Sequence, residues 1–152
     1  MSFDTRAGTR GARQPKGRVL RWVNTLMARR IRRRAGGKFM GFDALVLRTI
    51  GRKSGEERTT PLIFAPYGDG AYTIVASKGG ADEPPAWYLN LSEEPEVEVQ
   101  VKGDVFKARA RTGTPEEKPE IWKTMVSEWP SYDDYQTKTD REIPVFVLER
   151  MP

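Results

Sequence analysis

Between Gly51 and Pro61 the chain reads Gly51-Arg52-Lys53-Ser54-Gly55-Glu56-Glu57-Arg58-Thr59-Thr60-Pro61. Glycine lets a turn bring backbone N–H groups close to a ligand, while Arg, Lys and hydroxyl side chains supply charge and donors that suit phosphate or carboxylate oxygens. The stretch therefore has the makings of an anion site, although a solvated hairpin with the same charges would read alike. It is not a nucleotide P-loop, which needs Gly directly before the Lys and an earlier Gly in register. Two other groups offer chemistry. Val75-Ala76-Ser77-Lys78-Gly79-Gly80 puts a hydroxyl and an ammonium beside a permissive backbone, and Trp129-Pro130-Ser131-Tyr132-Asp133-Asp134-Tyr135-Gln136 sets two phenols three residues apart. In a helix those two phenols share a face.

What is missing narrows the chemistry further. The 152 residues contain neither Cys nor His, so thiolate nucleophiles, disulfides, the usual zinc sites and the commonest general base are all excluded, and no metal is expected. Catalysis must rest on Tyr, Ser, Lys, Arg, carboxylates or a bound cofactor. The net charge of +5 is unevenly spread: residues 1–38 hold 12 Lys or Arg and one Asp, leaving 14 Lys or Arg against 20 Asp or Glu in the remainder. The body of the protein is thus acidic, which argues against a folded nucleic-acid surface and makes the cations at Arg48, Arg52, Lys53 and Arg58 a local exception. No run approaches the roughly 20 apolar residues of a membrane span, and no signal core precedes a small-residue cleavage site, so the expected compartment is the cytoplasm.

These residues need elements to position them. Residues 1–38 read as a basic tail in which 18–34 form an amphipathic helix, with Val19, Leu20, Trp22, Val23, Leu26, Met27 and Ile31 at helical spacing among arginines. Such a helix packs on the domain or lies on an anionic membrane surface. Residues 39–152 read as one domain, mainly β with peripheral helices. Strands are expected at Asp43–Ile50, Arg58–Ala65, Ala71–Ser77, Glu96–Lys102, Val105–Arg111 and Ile143–Glu149, with Gly103-Asp104 as a two-residue hairpin turn. About six antiparallel strands in so short a chain favour a closed or partly closed barrel, which removes sheet edges. Helices are expected from Pro84-Pro85, from the capping box Thr114-Pro115-Glu116-Glu117, and from Ser131 acting as a cap.

Taken in order and spacing, Gly51-Arg52-Lys53-Ser54-Gly55, Ala76-Ser77-Lys78, Trp87-Tyr88-Leu89-Asn90-Leu91 and Pro130-Ser131-Tyr132 with Asp134-Tyr135-Gln136 resemble the deazaflavin-dependent nitroreductase family of actinobacteria. The resemblance runs from about Phe42 to Leu148. It implies a split β-barrel like those that bind FMN, with coenzyme F420 as cofactor. F420 carries a phosphate and a glutamate tail, and by resemblance Arg52, Lys53, Ser54 and Arg58 hold that end, with Lys78 adding charge. Pro61, Ile63, Ala76, Ser77, Gly79, Ala86, Trp87 and Asn90 line the ring and ribityl chain.

The implied reaction is hydride transfer from reduced F420 to a quinone, nitroaromatic or similar flat electrophile. Tyr132 is the implied proton donor, Tyr135 and Ser77 shape the acceptor pocket, and Trp129 and Ile63 wall it. In the family's nitroimidazole-activating members tyrosines stand at the positions of Trp129 and Ile63, so an apolar quinone such as menaquinone suits this pocket better than a nitroimidazole. Other readings stay open on the residues alone: a split-barrel reductase using FMN, a non-catalytic module storing F420 or a haem-like ligand, or an adaptor working through the basic tail. Acidic and basic faces with no long exposed apolar run point to a monomer.

Overall fold

The computed structural model describes residues 22, 25, 26, 38, 39, 42–77, 80 and 84–152. Most of the expected helix at 18–34 lies outside the described residues, as do Lys78 and Gly79; Trp22, Thr25 and Leu26 are helical. Among the described residues eight strands form one sheet: β1 Lys38–Phe39, β2 Phe42–Ile50, β3 Glu57–Ile63, β4 Ala65–Tyr67, β5 Ala71–Val75, β6 Glu96–Val101, β7 Asp104–Thr112 and β8 Val145–Arg150. Besides the helical Trp22, Thr25 and Leu26, three helices accompany them among the described residues: α1 Ala86–Glu93, α2 Lys118–Glu128 and α3 Ser131–Thr137.

The sheet path is β1-β2-β6-β7-β8-β5-β4, with β3 also on β2, and every pairing is antiparallel. The count exceeds the expected six by two: β1 lies outside the expected strands, and the expected strand 58–65 changes partner at Phe64. Ahead of it β3 pairs with β2 from Ile50↔Glu57 to Ala44↔Ile63, and beyond it β4 pairs with β5 from Ala65↔Thr73 to Tyr67↔Ala71. One bent stretch thus joins the two ends of a curled, split-barrel sheet, and the bend supplies the closure that a flat sheet lacks.

Alternation along the strands decides which side chains fill it. In β6 Val97, Val99 and Val101 are buried while Glu96, Glu98 and Gln100 are not; in β7 Phe106, Ala108 and Ala110 are buried between exposed Val105, Lys107 and Arg109. These join Leu45, Leu47, Phe64, Ile74, Phe146 and Leu148 and the α1 residues Trp87, Tyr88 and Leu91 in one cluster. The opposite face of β5 and β8, with Val75, Val145 and Val147, packs with Ile63, Ala65, Ile121, Met125 and Tyr132 in a second. Strands β5 and β8 are covered on both faces, which is why Ile74-Val75-Ala76 and Val145-Phe146-Val147-Leu148 read as continuous apolar runs. Each fully buried Leu, Ile or Phe here contributes about 1.5–3 kcal/mol relative to exposure.

Two turn readings need correcting. Val101 pairs with Asp104, so the β6–β7 turn residues are Lys102-Gly103 rather than Gly103-Asp104, and Lys102 itself adopts φ 55°. Ser131 is the first residue inside α3 and makes no capping bond; Pro130 precedes it. The capping box does form: the Glu117 N–H donates to Thr114 Oγ1 at 3.2 Å and the Thr114 N–H to Glu117 Oε1 at 3.0 Å. It closes a turn at 115–117 that leads into α2, whose regular helix starts at Lys118.

Candidate functional site

The basic turn is built by its glycines and by α1. Gly51 donates to the Glu56 carbonyl at 2.7 Å and Gly55, at φ 71°, donates to the Gly51 carbonyl at 2.8 Å. A Cβ on Gly51 would stand 2.7 Å from Ser54 Oγ and 3.3 Å from the Glu56 carbonyl oxygen, so a larger residue would displace the Ser54 hydroxyl from the turn. The turn is anchored from outside by Asn90 on α1, whose side-chain oxygen accepts from the Arg52 backbone N–H and from Arg52 Nη1, both at 3.2 Å. The amide end of Asn90 donates to Thr49 Oγ1 at 3.2 Å. Asn90 and Thr49 are buried, and these bonds satisfy both.

The four cations divide in two. Arg48 lies against Glu98 at 3.2 Å and Glu57 at 3.9 Å, and Arg58 pairs with Glu56 at 3.0 Å while reaching Ser54 Oγ at 3.3 Å. Arg52 and Lys53 are exposed and have no carboxylate partner among the described residues. The turn therefore presents two uncompensated cations, with Arg58 and Ser54 beside them, and this donor set fits a phosphate or carboxylate group. Arg48, included in the cluster on sequence, is already neutralised within the sheet.

A second grouping forms where β5 runs out. Ala76 is fully buried in the same cluster as Trp87, so α1 links the basic turn through Asn90 to the end of β5 through Trp87. Pro61 is buried in β3, and Ala86 is exposed at the start of α1. Ser77 is buried, and its carbonyl accepts from the Gly80 N–H at 3.0 Å. Gly80, at φ 81°, sits against α3: a Cβ there would fall 2.5 Å from the Tyr135 carbonyl oxygen. The Ser77 segment and the tyrosine helix are thereby held in contact.

On α3, Tyr132 is 5% exposed and packs in the second cluster with Ile63, while Trp129 and Tyr135 pack against that cluster. The rings of Tyr132 and Tyr135 meet edge to face at 6.1 Å, and Trp129 Nε1 donates to the Tyr135 hydroxyl at 3.2 Å. Trp122 Nε1 donates to Asp133 at 2.8 Å, tying α2 to α3. Burial, and then the neighbouring Tyr135, push the Tyr132 phenol above its usual range. Tyr132 thus stays a neutral hydrogen-bond donor at physiological pH, and its hydroxyl has no partner among the described residues.

Sequence reading missed two polar features. The first is Arg141, 6% exposed, whose guanidinium donates to the carbonyls of Ala76 at 3.2 Å and Ser77 at 3.0 Å. The second is a network at the far edge: Arg111 grips Glu117 with two bonds of 2.7 and 3.0 Å and also pairs with Glu149, and the Tyr67 hydroxyl donates to Glu117 at 2.5 Å. Arg111 above all, then Tyr67, holds the Glu117 carboxyl well below the usual carboxylate range. Arg111 and Glu117 are six residues apart, but Tyr67 lies 50 residues from Glu117, Glu149 38 from Arg111, and Arg141 65 and 64 from its two acceptors, so no local pattern announces these contacts.

The chain has counterparts among known proteins. The family model for the F420H2-dependent quinone reductase matches residues 20–150. An F420H2-dependent quinone reductase of Mycobacterium tuberculosis is 41% identical over 110 residues, spanning 70% of this chain and 73% of the relative. Among solved structures, an F420-H2 dependent reductase superposes with a TM-score of 0.64 at 43% identity, covering 70% of this chain and 93% of its own. Another, described as a domain-swapped dimer, gives 0.66 at 38% identity, covering 84% and 97%. A match over nearly the whole domain, with this level of identity, makes the chain a member of the F420H2-dependent quinone reductase family.

Proposed function

We propose that the protein reduces a quinone with F420H2, binding the cofactor's phosphate and tail at the basic turn and the acceptor beside Tyr132. The observation that carries this reading is the double bond set of Arg52 on Asn90, because it docks an uncompensated cationic turn onto the helix that also carries Trp87. When bound, reduced F420 supplies the hydride. Arg52, Lys53, Ser54 and Arg58 hold the anionic end, joined by Lys78. Pro61, Ile63, Ala76, Ser77, Gly79, Ala86, Trp87 and Asn90 flank the ring and its chain. Tyr132 donates a hydrogen bond, and with it a proton, to the acceptor oxygen on which charge develops; Tyr135, Trp129 and Ser77 shape the pocket and keep water out.

An apolar quinone such as menaquinone is the acceptor we favour, since Ile63 and Trp129 offer surface rather than hydroxyls. Trp22 and Leu26 support a membrane role for the basic segment: they stand four apart in helical residues and are 65% and 42% exposed. We place the protein in the cytoplasm, resting on the anionic inner face of the membrane through residues 18–34, where a lipid-borne quinone is within reach. No helix among the described residues is long and apolar enough to cross a membrane. The working unit in this reading is a monomer, which light scattering tests.

Mixing the protein with F420, and then with F420H2 and menadione, tests the activity. A change in cofactor fluorescence followed by its oxidation on adding the quinone is expected; unchanged fluorescence overturns the reading. Binding without oxidation points instead to a storage module. Vesicles containing anionic lipid should retain the full chain and release a chain lacking residues 1–38.

A further inference from the structure

Arg141 is the buried charged group for which hydride transfer, as described so far, has no use. A guanidinium is taken out of water only where its donors are well satisfied. Here Nη1 and Nη2 are aimed at two consecutive carbonyls, those of Ala76 and Ser77. Those residues follow the last ladder pair, Val75↔Val145, and the Ala76 N–H reaches back to the Pro144 carbonyl at 3.0 Å. The segment carrying Arg141 is itself clamped. Its backbone N–H donates to Thr139 Oγ1 at 3.1 Å, its carbonyl accepts from Gln136 Nε2 at 2.9 Å, and Gln136 Oε1 accepts from the Ile143 N–H at 3.0 Å. Gln136 belongs to α3, the helix of Tyr132 and Tyr135.

The peptide between Ala76 and Ser77 is trans, so its N–H points opposite to its C=O. With that carbonyl drawn onto Arg141, the Ser77 N–H faces away from the guanidinium, and it finds no acceptor among the described residues. A positive charge on the carbonyl side also polarises the peptide and strengthens the N–H as a donor. We infer that Arg141 is a positioning residue that fixes and polarises the Ala76–Ser77 peptide so that the Ser77 backbone N–H serves as a donor to an electron-rich oxygen of the bound cofactor ring. The inference rests on the proposed F420 site.

Fluorescence titration of F420 against Arg141→Lys and Arg141→Ala tests it. Lysine keeps the charge but has no fork to hold two carbonyls at once, so about a tenfold loss of F420 affinity is expected, and a larger loss in Arg141→Ala. Millimolar guanidinium should restore much of the binding to Arg141→Ala, whereas methylammonium should not. Denaturant melts of each variant give its folded fraction, to which affinities are normalised. Wild-type affinity in both folded variants overturns the inference, as does an affinity loss that tracks only the unfolded fraction and is not rescued by guanidinium. Should the wild-type protein itself leave F420 fluorescence unchanged, the proposed function fails, a result distinct from wild-type binding with indifferent variants.

Discussion

The side-chain oxygen of Asn90 accepts both the backbone N–H and the guanidinium of Arg52, each at 3.2 Å, while its amide nitrogen donates to Thr49. One buried amide therefore sets where the basic turn stands relative to α1. In Asn90→Leu the volume is kept, but the Thr49 hydroxyl and the Arg52 N–H lose their partner, which costs about 1–3 kcal/mol. Urea denaturation should show that loss, and F420 titration of the folded variant should show weaker binding as well. Stability lost with affinity intact would make Asn90 a structural residue only.

Lys53 is exposed and unpaired among the described residues, so its contribution is electrostatic and screened by salt. Lys53→Gln should raise the F420 dissociation constant about two- to fivefold at low ionic strength, in line with roughly 0.5–1 kcal/mol for one exposed charge pair. The difference should shrink as salt is added. At saturating cofactor the turnover number should not change, because in the proposed site Lys53 meets only the anionic end of F420 and not the reacting atoms. A salt-independent difference would place Lys53 outside the anion site.

Glu117 ties the entry to α2 onto β4 and β7 through Tyr67 and Arg111. Its folded-state pKa lies below the ordinary value of 4.5, so the charged form is favoured by folding. This stabilisation is complete above about pH 4.5 and is lost as pH falls below that value toward the folded-state pKa. Glu117→Gln should therefore be less stable than wild type at pH 7, by about 1 kcal/mol once solvent screening is allowed for. The gap should narrow in melts run at progressively lower pH, and a gap independent of pH would exclude linkage through this carboxyl.

The features that could be read from the chain are those whose cause is local. Val97, Val99 and Val101 announce β6 by alternation, and Thr114 with Glu117 announces a capping box four residues long. Gly103 drew the hairpin turn one residue too far because glycine is the usual positive-φ residue, yet Lys102 takes φ 55° here under the Val101↔Asp104 register. Ser131 looked like a cap, but Pro130 already leads into the helix with φ −57°. The tyrosine pair and the basic turn stood out by residue type and spacing. Arg141 did not, since its partners Ala76 and Ser77 are 65 and 64 residues away and only the folded sheet brings them together.

Tyr132 carries the sharpest prediction about chemistry. Its ring is fixed by Trp122 at 6.3 Å and Tyr135 at 6.1 Å, and it is 5% exposed, so Tyr132→Phe removes one hydroxyl and little packing. The hydroxyl has no partner among the described residues, so its loss leaves none of their polar groups orphaned, and melting should change little. If the hydroxyl donates to the acceptor oxygen as charge develops, the turnover number with menadione should fall about tenfold to a hundredfold, with F420 affinity nearly unchanged. Because the phenol is held above its ordinary pKa of 10.0, the wild-type rate should show no loss from its ionisation between pH 6 and about pH 10. An unchanged turnover number in Tyr132→Phe would move the donor role to Tyr135, whose hydroxyl accepts from Trp129 and keeps its own proton free to give.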